Sequence, residues 1–184
     1  PTRPASDLSA GPPRTDRRGH DEPTVTIHPS NVTTCEVLPM PPWLRILLGL
    51  VLGVLAGSAL NMGLITIGGV LLPPPEGVDP NDLESIRANI GSYSPLQFVP
   101  PFVAHAAGTL VGAVIVTATT RGALLWPALV VGGVFLLGGI AVVAMIPETP
   151  LWFMAVDLGL AYLPMAVLGH RLGRTLGRGD AQSS

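Results

Sequence analysis

The sequence predicts an all-α fold, an integral membrane four-helix bundle preceded by a disordered N-terminal segment. Three observations carry that prediction. Hydrophobic residues make up 48% of the chain against 12% charged, and mean hydropathy is +0.52, which is not the balance of a soluble domain. Residues 41–170 divide into four apolar stretches of about the 20 residues that cross a hydrocarbon core. The breaks between them are short and marked by Pro, Gly or charge.

Residues 1–39 mix Pro, charge and small polar residues without apolar periodicity, so they bury too little surface to offset chain entropy. They also lack the apolar core and cleavage site of a signal peptide. "MPPWLRILLGLVLGVLAGSAL" reads as the natural beginning of a membrane protein, with Met40 as candidate initiator. A genuine disordered cytoplasmic leader is the competing reading of residues 1–39.

The first span is expected over about 46–72, stopped by Pro73, Pro74 and Pro75, with a partly unwound end at Gly68 and Gly69 as an option. The loop 73–97 is the one sizeable polar connection. Within it Asp79 and Pro80 suit the N-cap and N1 positions, and Leu83, Ile86 and Ile90 recur at helical spacing. A short amphipathic helix on the membrane surface is the expectation. Pro100 and Pro101 suit the first turn of a second span, about 98–120. A third span is expected over about 123–146, and a fourth over about 151–169 with Pro164 inside it, tolerable where neighbours satisfy the freed carbonyl. Residues 171–184 read as a basic cytoplasmic tail.

All ten basic residues are Arg, and their placement sets the threading. Arg45, Arg121, Arg171, Arg174 and Arg178 fall on one side of a four-crossing arrangement. The other side has only Arg87, with Glu76, Asp79, Asp82, Glu84 and Glu148. The positive-inside rule then puts both termini in the cytoplasm of a bacterial plasma (inner) membrane. Trp43, Trp126 and Trp152 lie near span ends and read as interfacial anchors.

Gly49, Gly53 and Gly57 recur every fourth residue, with Asn61 next in the ladder, and Gly108 and Gly112 form a second pair. Small residues so spaced let another helix approach closely. His105 shares the Gly108 and Gly112 face and should point into the bundle. At 1.5 Å per residue, Asn61 lies about 16 Å from the outer end of its span, His105 about 10 Å and Asp157 about 9 Å. His105 and Asp157 are thus level, and they read as the two ionisable residues within the spans. An unpaired Asp in hydrocarbon costs roughly 2.5–3.5 kcal/mol, so a buried cluster of Asn61, His105 and Asp157 is expected. It serves either as a structural bond between the second and fourth helices or as a proton-coupled or ligand site.

The remaining signals exclude more than they suggest. Glu76, Asp79, Asp82 and Glu84 match no metal-ligand spacing, so no metal is expected there. Cys35 is the only cysteine, which excludes an intrachain disulfide. The run Arg171, Arg174, Arg178 suits anionic head groups or plain topology. With no P-loop, G-x-S-x-G or H-E-x-x-H motif, neither enzymatic activity nor a cofactor is expected. Partners are expected to be the lipid bilayer and a second copy or another membrane protein, not nucleic acid.

"ALNMGLITIGG", "LPPPEGVD", "FVPPFVAHAAGTLVGA", "GGIAVVAMIP" and "WFMAVDLGLAYLPMAVLG" together resemble a family of small bacterial four-helix inner-membrane proteins. The resemblance covers about residues 46–170, with His-Ala-x-Gly-Thr and the Trp-Phe…Asp…Ala-Tyr…Pro-Met segment as its more specific parts. It implies the four-helix architecture and carries no activity. The expected role is a non-catalytic structural or accessory membrane subunit; the alternative is a small transporter or proton-linked permease using the buried cluster. Inverted repeats would favour transport, but the two halves share no convincing sequence echo.

Overall fold

The computed structural model describes residues 40–121 and 124–179, and these residues are helical apart from turns and one loop. The leader 1–39 and the start assigned to Met40 lie outside or at the edge of this range. The elements are α1 (Pro42–Leu71), α2 (Leu83–Asn89), α3 (Val99–Thr119), α4 (Trp126–Met145), α5 (Leu151–Leu160) and α6 (Leu163–Gly179). Four helices are long and apolar enough to cross a membrane: Pro42–Leu71, Pro95–Thr119, Trp126–Met145 and the broken helix Leu151–Leu176. That is compatible with a multi-pass membrane protein.

Several boundaries differ from those expected. The first helix starts at Pro42 instead of near 46, because Pro41 and Pro42 suit a helix start and nothing breaks the turn that follows. It stays helical through Gly68 and Gly69, where Gly68 is held against Pro100. The second helix is entered through a 3₁₀ turn over Pro95–Phe98, in which Ser94 and Gln97 form a capping box. The third starts at Trp126 and not at 123. The fourth does not end at 169: no breaker follows Gly169, so α6 runs on to Gly179 and carries the residues read as the start of a tail.

Pro164 has a larger effect than tolerance. Lacking an N–H, it cannot bond the Leu160 carbonyl, and the helix breaks into α5 and α6 at Ala161 and Tyr162. Ala161 N–H still reaches the Asp157 carbonyl (2.9 Å), and Ala166 N–H restarts the pattern at Tyr162 (2.8 Å).

Helix α3 is the pillar of the bundle. Without a hydrophobic drive between helices in lipid, association depends on van der Waals contact, and glycine supplies it by letting backbones touch. A Cβ on Gly53 would stand 2.6 Å from the Gly112 carbonyl oxygen, and one on Gly57 would stand 2.5 Å from that of Gly108. Gly49 meets Val116 and Thr119 in the same seam, so α1 and α3 are antiparallel partners. On another side of α3, Gly169 faces Leu110 and Ala113, and Gly173 faces Val114 and Thr117. Gly132 receives Ala166 and joins α4 to α6. The buried core beneath these seams is correspondingly small-sided: Ala113, Val116, Ala128, Val131 and Ala166.

The loop helix α2 is not capped by Asp79. Asp79 closes a turn by accepting the Asn81 N–H (2.9 Å), and Asp82 is the N-cap, accepting from Glu84 N–H (3.1 Å). Its apolar face is partly covered by protein, although no residue of α2 itself is buried. Ile86 and Ile90 pack with Phe98, Ile146 and Phe153, while Leu83 stays exposed. Gln97 reaches back to the Pro73 carbonyl, and Arg87 pairs with Glu148 at 3.4 Å. That exposed pair contributes at most about 1 kcal/mol.

The seam yields a direct expectation. Gly108→Leu should destabilise the protein by about 1–3 kcal/mol or more, because backbone cannot move aside. Gly63→Ala, with nothing within 4 Å of its added carbon, should be neutral or stabilising by up to about 1 kcal/mol. Unfolding of the purified protein in mixed micelles checks both; equal costs would contradict the packing described.

Candidate functional site

Two local features aim His105. Pro100 and Pro101 occupy the first turn of α3, placing His105 in the next turn, and Thr109 returns its hydroxyl to the His105 carbonyl (2.8 Å). Asp157 lies in the second turn of α5, which starts after Pro150. The two side chains meet: His105 Nδ1 is 2.9 Å from Asp157 Oδ1 and 3.1 Å from Oδ2. A carboxylate only accepts, so opposite an ionised Asp157 the Nδ1–H is the donor. Asp157 is 4% exposed.

Sequence reasoning missed a third member, Tyr162. Its hydroxyl donates to Asp157 Oδ2 (3.0 Å) and lies 3.1 Å from His105 Nδ1, while its ring stacks on the imidazole at a centroid distance of 5.8 Å. Five residues on an unbroken helix turn a side chain about 140° away from the first, so the spacing from Asp157 to Tyr162 concealed the contact. The break before Pro164 brings them together. Pro164 was the available signal.

Asn61 does not join this bond network. It stands beside Gly108, as the α1 ladder implies, but its Oδ1 is buried without a hydrogen-bond partner among the described residues. It shares with His105 and Tyr162 the wall of a cleft of about 290 Å³. Val54 and Ser58 of α1 and Val134, Phe135 and Val142 of α4 complete most of that wall. The expected three-residue cluster is therefore a bonded set of His105, Asp157 and Tyr162 with Asn61 across a gap.

A buried histidine also corrects the expectation that His105 and Asp157 are the ionisable residues of the spans. Because α6 continues past Gly169, His170 falls inside the helix, 7% exposed, with Nδ1 3.3 Å from Thr117 Oγ1 of α3. It is a further polar link between the pillar and the fourth helix.

The other singled-out residues fall as follows. Trp43 and Trp126 are exposed at one end of the bundle; Trp152 is exposed at the other, edge-on to Phe98 at 5.6 Å. In the loop, Asp79 and Asp82 direct oxygens to local backbone N–H groups, and among the described residues no group of three potential metal ligands comes together. No family model, curated protein or solved structure matches the chain.

The bonded set makes a coupling prediction. His105→Leu should cost about 3–5 kcal/mol, because it strands a buried carboxylate. Adding Asp157→Leu should recover much of that loss, whereas Tyr162→Phe alone should cost about 0.5–1.5 kcal/mol. A double-mutant cycle read by unfolding in micelles measures the coupling; additive single losses would contradict the contact.

Proposed function

We propose that the chain is a non-catalytic structural or accessory subunit of a bacterial plasma membrane, threaded with both termini in the cytoplasm. The observation that carries this reading is how the polar groups at the junction are used. Asp157 binds His105 and Tyr162, so its bonds tie α3 to α5 and to the turn that leads into α6. Such a carboxylate acts as a fastener. Toward the end holding Arg45 and Arg121, backbone contacts of Gly53 with Gly112 and Gly57 with Gly108 close the seam between α1 and α3. The likeness to small bacterial four-helix inner-membrane proteins supports the same architecture, and the arginine distribution supports the threading.

A proton-linked transporter is the second reading. The cleft favours it, since His105 and Tyr162 line a space of about 290 Å³. An intramembrane ionisable pair beside a cavity is a normal beginning for a proton path. Transport would need the glycine seam to part or a second copy to complete the route.

Two measurements separate these readings. Purified from native membrane in mild detergent, the protein should run by native mass spectrometry with a second copy or another membrane protein, and liposomes holding it should keep an imposed pH gradient. Collapse of the gradient by the wild type, with a folded but inactive Asp157→Asn, would replace the accessory reading with transport. For the threading, alkaline phosphatase inserted after Asn81 should be active and a C-terminal fluorescent protein should glow; the reverse pair would invert the topology.

A further inference from the structure

The end of the bundle away from Asp157 gathers positive charge without a carboxylate to match it. The seam contacts pair Gly57 with Gly108, Gly53 with Gly112 and Gly49 with Val116. One more turn brings Arg45 level with Thr120, the C-cap of α3, and with Arg121 beside it. Arg45 is the only charged residue of α1, one turn before Gly49 on nearly the same side of the helix, and it is half-buried. Among the described residues the ion pairs are Arg87 with Glu148 and His105 with Asp157, so neither Arg45 nor Arg121 is paired. Like charges that meet at the end of a closed seam are stabilised by an anion from outside the chain.

Arg121 also strains its backbone. Its φ is 57°, the one positive value at a non-glycine residue among those described. It stands just after the α3 cap, where glycine is the usual occupant because a Cβ crowds the following carbonyl. Its N–H closes the helix end on the Ala118 carbonyl (3.1 Å), so the turn needs the conformation and not the side chain. An exposed residue that strains its backbone contributes through what its guanidinium reaches. The bilayer sets what lies within reach: exposed Trp43 and Trp126 mark the interface at this end, which puts both guanidiniums at head-group depth.

We propose that Arg45 and Arg121 together bind the phosphodiester of an anionic phospholipid at the end of the α1–α3 seam. A guanidinium presents a planar fork of N–H donors that matches two phosphate oxygens, which an ammonium does not. The occupant is a lipid and not free phosphate, because exposed Leu47, Leu48 and Val51 continue from Arg45 along α1 and offer its acyl chains an apolar track. Arg174, one residue past the contact of Gly173 with Thr117, stands on another side of α3, and Arg171 lies nearly a turn deeper on α6. Both are exposed and carry the same charge without the seam. The site lies apart from the Asp157 junction and depends on neither reading of it. It also differs from the threading signal, which counts charges, in requiring guanidinium at two positions.

The test uses the full chain in nanodiscs of phosphatidylcholine alone or mixed with phosphatidylglycerol, read by the lipid retained in native mass spectrometry and by Tm. Phosphatidylglycerol should be retained at least about tenfold over phosphatidylcholine and should raise Tm, and millimolar inorganic phosphate should not displace it. Charge-conserving variants leave the threading signal in place. Arg45→Lys and Arg121→Lys should each lower the preference by about threefold or more, while Arg171→Lys and Arg174→Lys leave it unchanged. Arg121→Gly should move two readouts in opposite directions, raising Tm in phosphatidylcholine by relieving the backbone and removing most of the preference for phosphatidylglycerol. The proposal is overturned if phosphatidylglycerol is not preferred, if inorganic phosphate displaces it, or if Arg45→Lys and Arg121→Lys both leave the preference intact. It is overturned equally if Arg171→Lys and Arg174→Lys weaken the preference as much, which is the mark of general attraction. An Arg121→Gly protein less stable than the wild type in phosphatidylcholine would remove the strain on which the assignment of Arg121 stands.

Discussion

A carboxylate inside an apolar bundle has to be matched from within the protein, and the arrangement around Asp157 follows from that constraint. One partner, His105, comes from α3; the other, Tyr162, comes from the break in the carboxylate's own helix. The contact therefore fixes more than a pair of side chains. It sets the rotation of α3, the height of α5 and the angle at which α6 departs. The break is itself required, because on a continuous helix Tyr162 would face elsewhere. Pro164 thus acts on the polar junction through the backbone, at a distance of two residues.

Polar contacts of this length form only where the helices already stand close. Glycine provides that closeness along α3, against α1 through Gly53 and Gly57 and against α6 through Gly169 and Gly173. A bundle held by backbone contact has little slack, which suits an element that positions something else. The same packing explains where space remains. Above the Gly57–Gly108 contact, Asn61 is the larger residue that continues the glycine ladder, and Ser58 of α1 and Gly138 of α4 line the cleft.

Much of this arrangement was legible in the residues. Composition and segment length gave four apolar helices, and the spacing of Gly49, Gly53 and Gly57 against Gly108 and Gly112 identified the seam that the fold uses. Helical rise placed His105 and Asp157 at one level, which is a condition for their contact and not evidence of a role. What escaped had physical reasons. Tyr162 was hidden by a five-residue spacing that only a broken helix makes useful. His170 was hidden by ending the fourth span where the arginines begin, although a helix does not stop at a change of polarity. Asp82 displaced Asp79 as the cap because Asp79 was already engaged in a turn with Asn81. The partner of Asn61 was misjudged because depth alone says nothing about which way an amide points.

The junction turns on one imidazole, whose Nδ1 faces both Asp157 and Tyr162. Solid-state ¹⁵N spectra of histidine-labelled protein in lipid, compared with His105→Gln for assignment, read both nitrogens of that ring directly. The expected result is a protonated, strongly hydrogen-bonded Nδ1. A ring protonated on Nε2 alone, with Nδ1 bare beside the carboxylate, would contradict the fastening contact.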